Sequence, residues 1–140
     1  MQEGRVLKTG VAEYVEASFD TDKGNQSGFR PVHNKVMVLT DQVADETKGG
    51  IKLPYEVKER HQMAAETGVI VAVGEGAFRF APDGSPWQGE RPQAGDQIYM
   101  ERYSGIVIYG ADGLTYRLLD DRCIGAVREH KIDPSQEEKP

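Results

Sequence analysis

The chain has 140 residues, of which 38% are hydrophobic and 29% charged, a balance typical of one soluble globular domain. Its formal net charge of −6 argues against sequence-independent binding to nucleic acid, which needs a basic surface. No apolar run approaches the roughly 20 residues that cross a bilayer, and the N-terminus lacks the apolar stretch of a secretion signal, so no membrane association is expected. The one cysteine, Cys123, cannot form an internal disulfide and fits a reducing cytoplasm.

Residues 1–28 read as an N-terminal extension. Val11, Tyr14, Val15 and Phe19 fall near helical spacing, which favours a short amphipathic helix. The polar, glycine-containing flanks favour the alternative, a flexible segment. Asp20–Gly28 is interpreted as a linker.

The middle of the chain, residues 29–129, predicts an all-β fold, a compact β-barrel. Sixteen glycines and seven prolines indicate many turns. Six stretches rich in β-branched and aromatic residues are predicted as strands: "NKVMVLT" (34–40), "GVIVAVG" (68–74), "DQIYMER" (96–102), "SGIVIYG" (104–110), "LTYRLLD" (114–120) and "CIGAVRE" (123–129). The second is apolar at almost every position, which predicts burial on both faces.

Two long excursions interrupt the barrel, at about 43–67 and 75–93. In the second, Pro82-Asp83-Gly84 is a turn signal flanked by aromatic residues, which predicts a projecting hairpin. Asp112-Gly113 between two strand-like runs predicts another hairpin, because both central residues of such a turn need a positive φ. The last stretch, 130–140, is charged and lacks periodicity, so it is predicted to be a solvated tail.

The residues that usually carry catalysis do not form a recognisable constellation. His33, His61 and His130 are scattered and none has metal-ligand spacing with Cys123, so neither a zinc site nor any other metal is expected. Cys123 precedes an apolar strand and is interpreted as a packing residue. "GEGAF" lacks the third glycine and the helix of a dinucleotide loop. The sequence therefore predicts a protein that is not an enzyme and has no cofactor of its own.

Five blocks in one order resemble the GroES-type co-chaperonins, the ten-kilodalton lids of chaperonin chambers. They are "FRPVHNKVMVL", "TKGGIKLP", "GVIVAVGEG", "AGDQIYMERYSG" and "YRLLDDRCIGAV", and together they cover about Phe29 to Glu129. The two extensions and the long charged stretch after Leu53 indicate a divergent member, for which a phage genome is one candidate source.

The resemblance implies a site for each block. A mobile loop would bind a GroEL-type chaperonin ring through its tip: Gly49, Gly50, Ile51, Lys52, Leu53 and Pro54. A roof hairpin would carry Phe78, Phe80, Asp83, Gly84 and Trp87. Tyr103 would line the inner wall that faces enclosed client proteins. Neighbouring subunits would meet through Arg30, Pro31, Val32, His33, Ile124, Ala126 and Val127, which closes a ring, expected to be a homo-heptamer.

For some of these residues a packing role remains an alternative. Ile51 and Leu53, two apart, point to the same side of an extended segment and can enter one groove together. In the alternative they fold back onto the barrel as core residues. Packing is an equal alternative for the three hairpin aromatics, and a place inside the barrel wall is an equal alternative for Tyr103. Lys52, between the two aliphatic residues, would have to direct its ammonium away from the groove.

The function implied is ATP-dependent capping of a chaperonin ring in the cytoplasm of a bacterium or a phage-infected cell, with ATP bound by the partner. One alternative is a structural or scaffold module, for instance viral, that uses the same barrel without capping. A second alternative, the barrel of a medium-chain dehydrogenase, lacks its zinc ligands and its Rossmann domain.

Overall fold

The structure, a computed structural model, describes residues 6–9, 12–43, 52 and 54–129. Within these ranges the chain is mostly β, which confirms the predicted fold class. Its elements are β1 (Val6–Thr9), β2 (Ala12–Val15), β3 (Lys35–Thr40), β4 (Gln42–Val43), α1 (Tyr55–Met63), β5 (Thr67–Val73), β6 (Gln97–Met100), β7 (Ile106–Tyr109), β8 (Thr115–Asp120) and β9 (Ile124–Val127). The predicted tail at 130–140 lies outside the described residues.

Six strands form one antiparallel sheet in the order β7-β8-β3-β5-β6-β9. Each coincides with one of the six stretches predicted as strands, except that β5 begins one residue earlier, at Thr67, so that prediction is confirmed. Bulges at Met37/Val38 and at Tyr99/Met100 bend the sheet around its apolar side. Strands β7 and β9 are left at the two ends of the sheet.

The central strands β3 and β5 are buried on both faces. On β3, Val36 and Val38 belong to one apolar cluster, and Met37 and Leu39 to another on the opposite face. We call these clusters the inner core (Val36, Val38, Val43, Ala65, Ile70, Ala77, Phe78, Ile98, Met100 and Leu119) and the outer core (Ala17, Met37, Leu39, Val69, Val71 and Tyr116). Since β5 contributes to both, the predicted two-sided burial of "GVIVAVG" is confirmed.

The Asp112-Gly113 signal does mark a hairpin, which joins β7 to β8. Its turn differs from the expected one, because Gly113 has a φ of 82° while Asp112 is not among the residues with positive φ. Five residues, 110–114, separate the last paired residues Tyr109 and Thr115. The Asp112 carboxylate accepts a hydrogen bond from the Leu114 N–H at 3.0 Å. A single left-handed glycine is therefore enough for this longer loop.

The extension contains strands where a helix was one of the two expectations. Strand β2 pairs with β1 on one side and with β4 on the other, in a separate three-stranded sheet. After β2, Ala17 is buried and Phe19 packs against the outer core. The spacing of apolar residues did not decide the structure here, because pairing with β4 determines it.

The second half of the 43–67 excursion is helical. α1 begins after Pro54 with Glu56 in its first turn and has Arg60 and His61 in its last, which suits the helix dipole. Ala64 and Ala65, which follow the helix, are buried. Cys123 packs against the inner core, which confirms its interpretation as a packing residue.

Candidate functional site

The predicted loop tip lies mostly outside the described residues. Gly49, Gly50, Ile51 and Leu53 are not described, while Lys52 and Pro54 are, and both are exposed. The described elements that flank this segment are β4 before it and α1 after it. We call this pair of elements the loop root.

Gln62 joins the two halves of the loop root. Its side chain is buried, and its amide nitrogen donates to the Asp41 carbonyl at 2.8 Å and to the Thr40 hydroxyl. Its amide oxygen accepts from the Val43 N–H at 3.1 Å. A glutamine of α1 thus completes the backbone hydrogen bonding of β4, which fixes the helix against that strand.

The end of α1 is held by the turn that carries Tyr103. The Tyr103 N–H donates to the Met63 carbonyl at 2.7 Å, and Arg102 donates to the Ala64 carbonyl at 3.2 Å. Tyr103 has a φ of 58° and its side chain is 60% exposed, so it is not a barrel-packing residue within this chain. The exposed ring and the loop root therefore share one end of the barrel.

Arg117 anchors the same turn from inside the barrel. Its side chain is fully buried and donates to three carbonyl oxygens, those of Ala65, Glu101 and Ser104. Burial lowers the pKa of its guanidinium, and no carboxylate is among its hydrogen-bond acceptors in the described chain. Sequence reasoning missed this residue because an arginine in a strand is normally read as solvent-facing.

Asp41 connects the loop root to the extension. Its carboxylate is buried and accepts hydrogen bonds from the Ala17 N–H, at 2.8 Å, and from the Thr67 hydroxyl. Burial raises the pKa of Asp41, although both hydrogen bonds and the charge of Arg128 act in the opposite direction. The sequence gives no signal for this contact, since Asp41 simply follows a strand.

The predicted roof residues do form a turn. The Ala81 N–H donates to the Ser85 carbonyl at 2.7 Å, and Gly84 has a φ of 89°. Asp83 accepts from the backbone and the hydroxyl of Ser85, which holds the pKa of its carboxyl below the usual value.

The hairpin aromatics have different environments. Phe78 is buried in the inner core, and its ring centroid lies 5.5 Å from that of Trp87 in an edge-to-face contact. These two rings pin the base of the hairpin to the barrel and are packing residues. Phe80, in contrast, is 63% exposed.

The predicted subunit-interface residues lie at two separate places on the chain. β9 pairs with β6 on one side, and its other edge has no strand partner in the described chain. The segment 30–33 precedes β3; Pro31 is buried, while Arg30, Val32 and His33 are exposed. The His33 carbonyl accepts from the Gly76 N–H at 2.8 Å, and it leaves no room for a Cβ at Gly74. This close approach explains the glycines of "VGEG".

The described ranges contain neither a metal-binding cluster nor a membrane-spanning helix. Among these residues no group of three or more His, Cys, Asp or Glu could hold a metal ion. No helix in the described part is long and apolar enough to cross a membrane.

Comparison with known proteins gives one consistent result. The sequence model of the family "Chaperonin 10 Kd subunit" matches residues 28–128. "Co-chaperonin GroES 1" of Rhizobium meliloti (strain 1021) is 36% identical over 96 residues, which are 67% of this chain and 91% of that protein. "Co-chaperonin GroES" of Maricaulis maris is 40% identical over 83 residues, 57% of this chain and 77% of the relative. That of Clostridium acetobutylicum is 33% identical over 101 residues, with shares of 72% and 98%.

Proposed function

We propose that this chain, which belongs to the chaperonin 10 kDa subunit family, caps a chaperonin ring and closes the chamber in which client proteins fold. A co-chaperonin role follows from the family, whose members are non-enzymatic partners of chaperonins, so the protein is not an enzyme. ATP would be bound and hydrolysed by the partner, and this chain would need no cofactor. We place its action in the cytoplasm of a bacterium or of a phage-infected cell.

The contact with the chaperonin would be made by residues 49–54. The main support is the sequence pattern of this segment: a glycine pair is followed by Ile51 and Leu53, which would point to one side of an extended chain, and the described residues on both sides of the segment are anchored. Burying two aliphatic side chains contributes roughly 3–6 kcal/mol at most. Ordering the segment costs about 1–2 kcal/mol per residue, which removes much of that gain. One loop would bind weakly, and reversibly.

A ring of subunits would turn weak contacts into a stable cap. The second and later loops of a ring bind at a high effective concentration, because the first loop has already brought them to their grooves. The unpaired edge of β9 and the exposed segment 30–33 are the surfaces through which we propose that subunits join, with Ile124, Ala126 and Val127 on the strand. A homo-heptamer is the ring that the family resemblance implies.

Two exposed aromatic residues, Phe80 and Tyr103, would occupy the remaining sites that the family resemblance implies. Phe80, on the hairpin, would lie at the roof of the dome, and Tyr103 would face the chamber and its clients. Both side chains are more than half exposed in the single chain, so both are free to contact another molecule.

The test is capture of the protein by a chaperonin ring with and without ATP. Wild type should bind only with the nucleotide, and Ile51→Asp should lose binding while it still assembles into a ring of the same mass. Val73→Asp, which places the same charge on a partly exposed aliphatic residue at the end of β5, is the matched control and should bind like wild type.

Unchanged ATP-dependent binding of Ile51→Asp would refute the anchor role of Ile51. A wild type that binds no chaperonin under any nucleotide condition would refute capping altogether. The structural or scaffold module would then be the better hypothesis.

A further inference from the structure

The N-terminal extension is built into the loop root. Strand β2 pairs with β4 in the register Tyr14↔Val43 and Val15↔Gln42. Val43 is the last described residue before the segment that contains the proposed chaperonin anchor. The strand from which that segment leaves the barrel therefore has a neighbour that comes from the extension.

A second contact fixes the extension to the barrel next to this pairing. The Ala17 N–H donates to the buried Asp41 carboxylate at 2.8 Å, and the same carboxylate accepts from the Thr67 hydroxyl at the start of β5. Arg128, whose guanidinium lies 3.9 Å from the Glu16 carboxylate, adds a weaker contact. Asp41, which directly precedes β4, thus connects that strand to the extension and to β5.

The opposite side of β4 is held by α1 through Gln62, as described above. β4 is thus held by β2 through pairing of both its residues and by Gln62 through the Val43 N–H. A strand of two residues has little pairing of its own, so these neighbours determine whether it is ordered.

The pairing with β2 is an addition to the family fold, since the family match begins at residue 28. We propose that residues 12–17, which we call the N-terminal clamp, hold the loop root in its binding-competent position and thereby strengthen binding to the chaperonin ring. The physical basis is preorganisation: β4 is already ordered before binding, so the conformational entropy of ordering it is not lost when the cap forms. This inference rests on the proposed function.

The test uses the full-length protein and measures ATP-dependent affinity for a chaperonin ring together with amide hydrogen exchange. Tyr14→Pro removes an amide donor from β2, the central strand of its sheet. It should accelerate exchange at Gln42 and Val43 and weaken binding by about tenfold or more, the factor that ordering one further residue costs. The mass of the assembled ring should not change.

A second variant and two controls separate the clamp from general stability. Asp41→Ala leaves the Ala17 N–H and the Thr67 hydroxyl without their shared acceptor and should weaken binding in the same direction. Thr21→Pro and Asp22→Ala make the same kinds of change at exposed positions of the extension outside the clamp and should bind like wild type.

The outcomes distinguish the two proposals. If wild type binds and both clamp variants bind equally well despite faster exchange at β4, the clamp proposal is wrong and capping stands. If wild type itself does not bind, capping is refuted, and the role given to the clamp is refuted with it. Weaker binding of both clamp variants, with unchanged ring mass and unaffected controls, supports the clamp.

Discussion

Replacement of Arg117 by methionine tests how the turn at 101–105 and the end of α1 are held together. The arginine is 0% exposed, and it donates to the carbonyls of Ala65, Glu101 and Ser104. Methionine has a comparable length and fills much of the same space, so the change chiefly removes the donors. The Ala65 and Ser104 carbonyls then lack this donor, whereas the Glu101 carbonyl still accepts from the Ser104 hydroxyl.

The magnitude follows from those three carbonyls. An acceptor left unpaired in a buried position costs about 1–3 kcal/mol, and the hydrogen bonds to Glu101 and Ser104 are only partly buried, so their cost lies at the low end. Removing a buried guanidinium also removes its desolvation penalty, which offsets roughly 1 kcal/mol of the loss. Since the Glu101 carbonyl keeps one donor, we expect Arg117→Met to lower the free energy of unfolding by about 1–3 kcal/mol.

Urea denaturation at one fixed protein concentration measures this difference, with the same m-value required for both proteins. Arg122→Met is the control, since Arg122 is exposed, and its effect should stay within about 0.5 kcal/mol. A loss below about 1 kcal/mol for Arg117→Met would show that water replaces the guanidinium at these carbonyls and would refute the argument.

Two further substitutions test other close contacts. Gly105→Ala should destabilise the protein by about 2–4 kcal/mol in urea melts, because φ is 69° and a Cβ would lie 2.2 Å from the Leu118 carbonyl oxygen. Gly113→Ala is the control: its φ is +82° but the space around it is open, so it should lose only about 1–2 kcal/mol. Equal losses would contradict the steric argument. Burial raises the pKa of Asp41, so the stability linked to its proton is present at low pH and lost as the pH rises through the folded-state pKa. The free energy of unfolding of Asp41→Asn, minus that of wild type, should therefore be more favourable in urea melts at about pH 7 than at about pH 4. A difference that does not depend on pH would refute the assigned pKa shift.

The strands of the barrel were predictable because their local signals and their environment agree. In β3, alternate residues serve the two cores, and in β5 nearly every residue is apolar because both faces are covered. The five sequence blocks that follow the family's order then indicated where the two excursions, at about 43–67 and 75–93, leave the barrel. Two glycines of the third block are required by the chain itself, since Gly74 and Gly76 lie against the His33 carbonyl.

α1 was not predicted because the helix has no apolar stripe. Its residues are mostly polar, and its attachment to the barrel depends on hydrogen bonds of Gln62 and of the Met63 carbonyl, which form no sequence pattern. The start signal was present: a proline followed by Glu56 is typical of a helix N-terminus.

Backbone conformations at bulky residues are a further limit. His33, Phe78 and Tyr103 all have a φ near 57°, where glycine or asparagine would be expected. Tertiary contacts hold such residues in this conformation. At Phe78, for example, the N–H donates a hydrogen bond to the Asp121 carboxylate. A sequence read residue by residue cannot show such contacts.

The docking of α1 fixes how far the proposed anchor can travel. Pro54 begins the helix, and Ile51 stands three residues before it, so the covalent chain allows at most about 10 Å between their Cα atoms. A receptor groove that takes up Ile51 must therefore come to within about 10 Å of the start of α1, because no long tether connects the two. Two exposed charges of opposite sign, Lys52 before the helix and Glu56 in its first turn, would then face the receptor at close range, and the receptor must accommodate both.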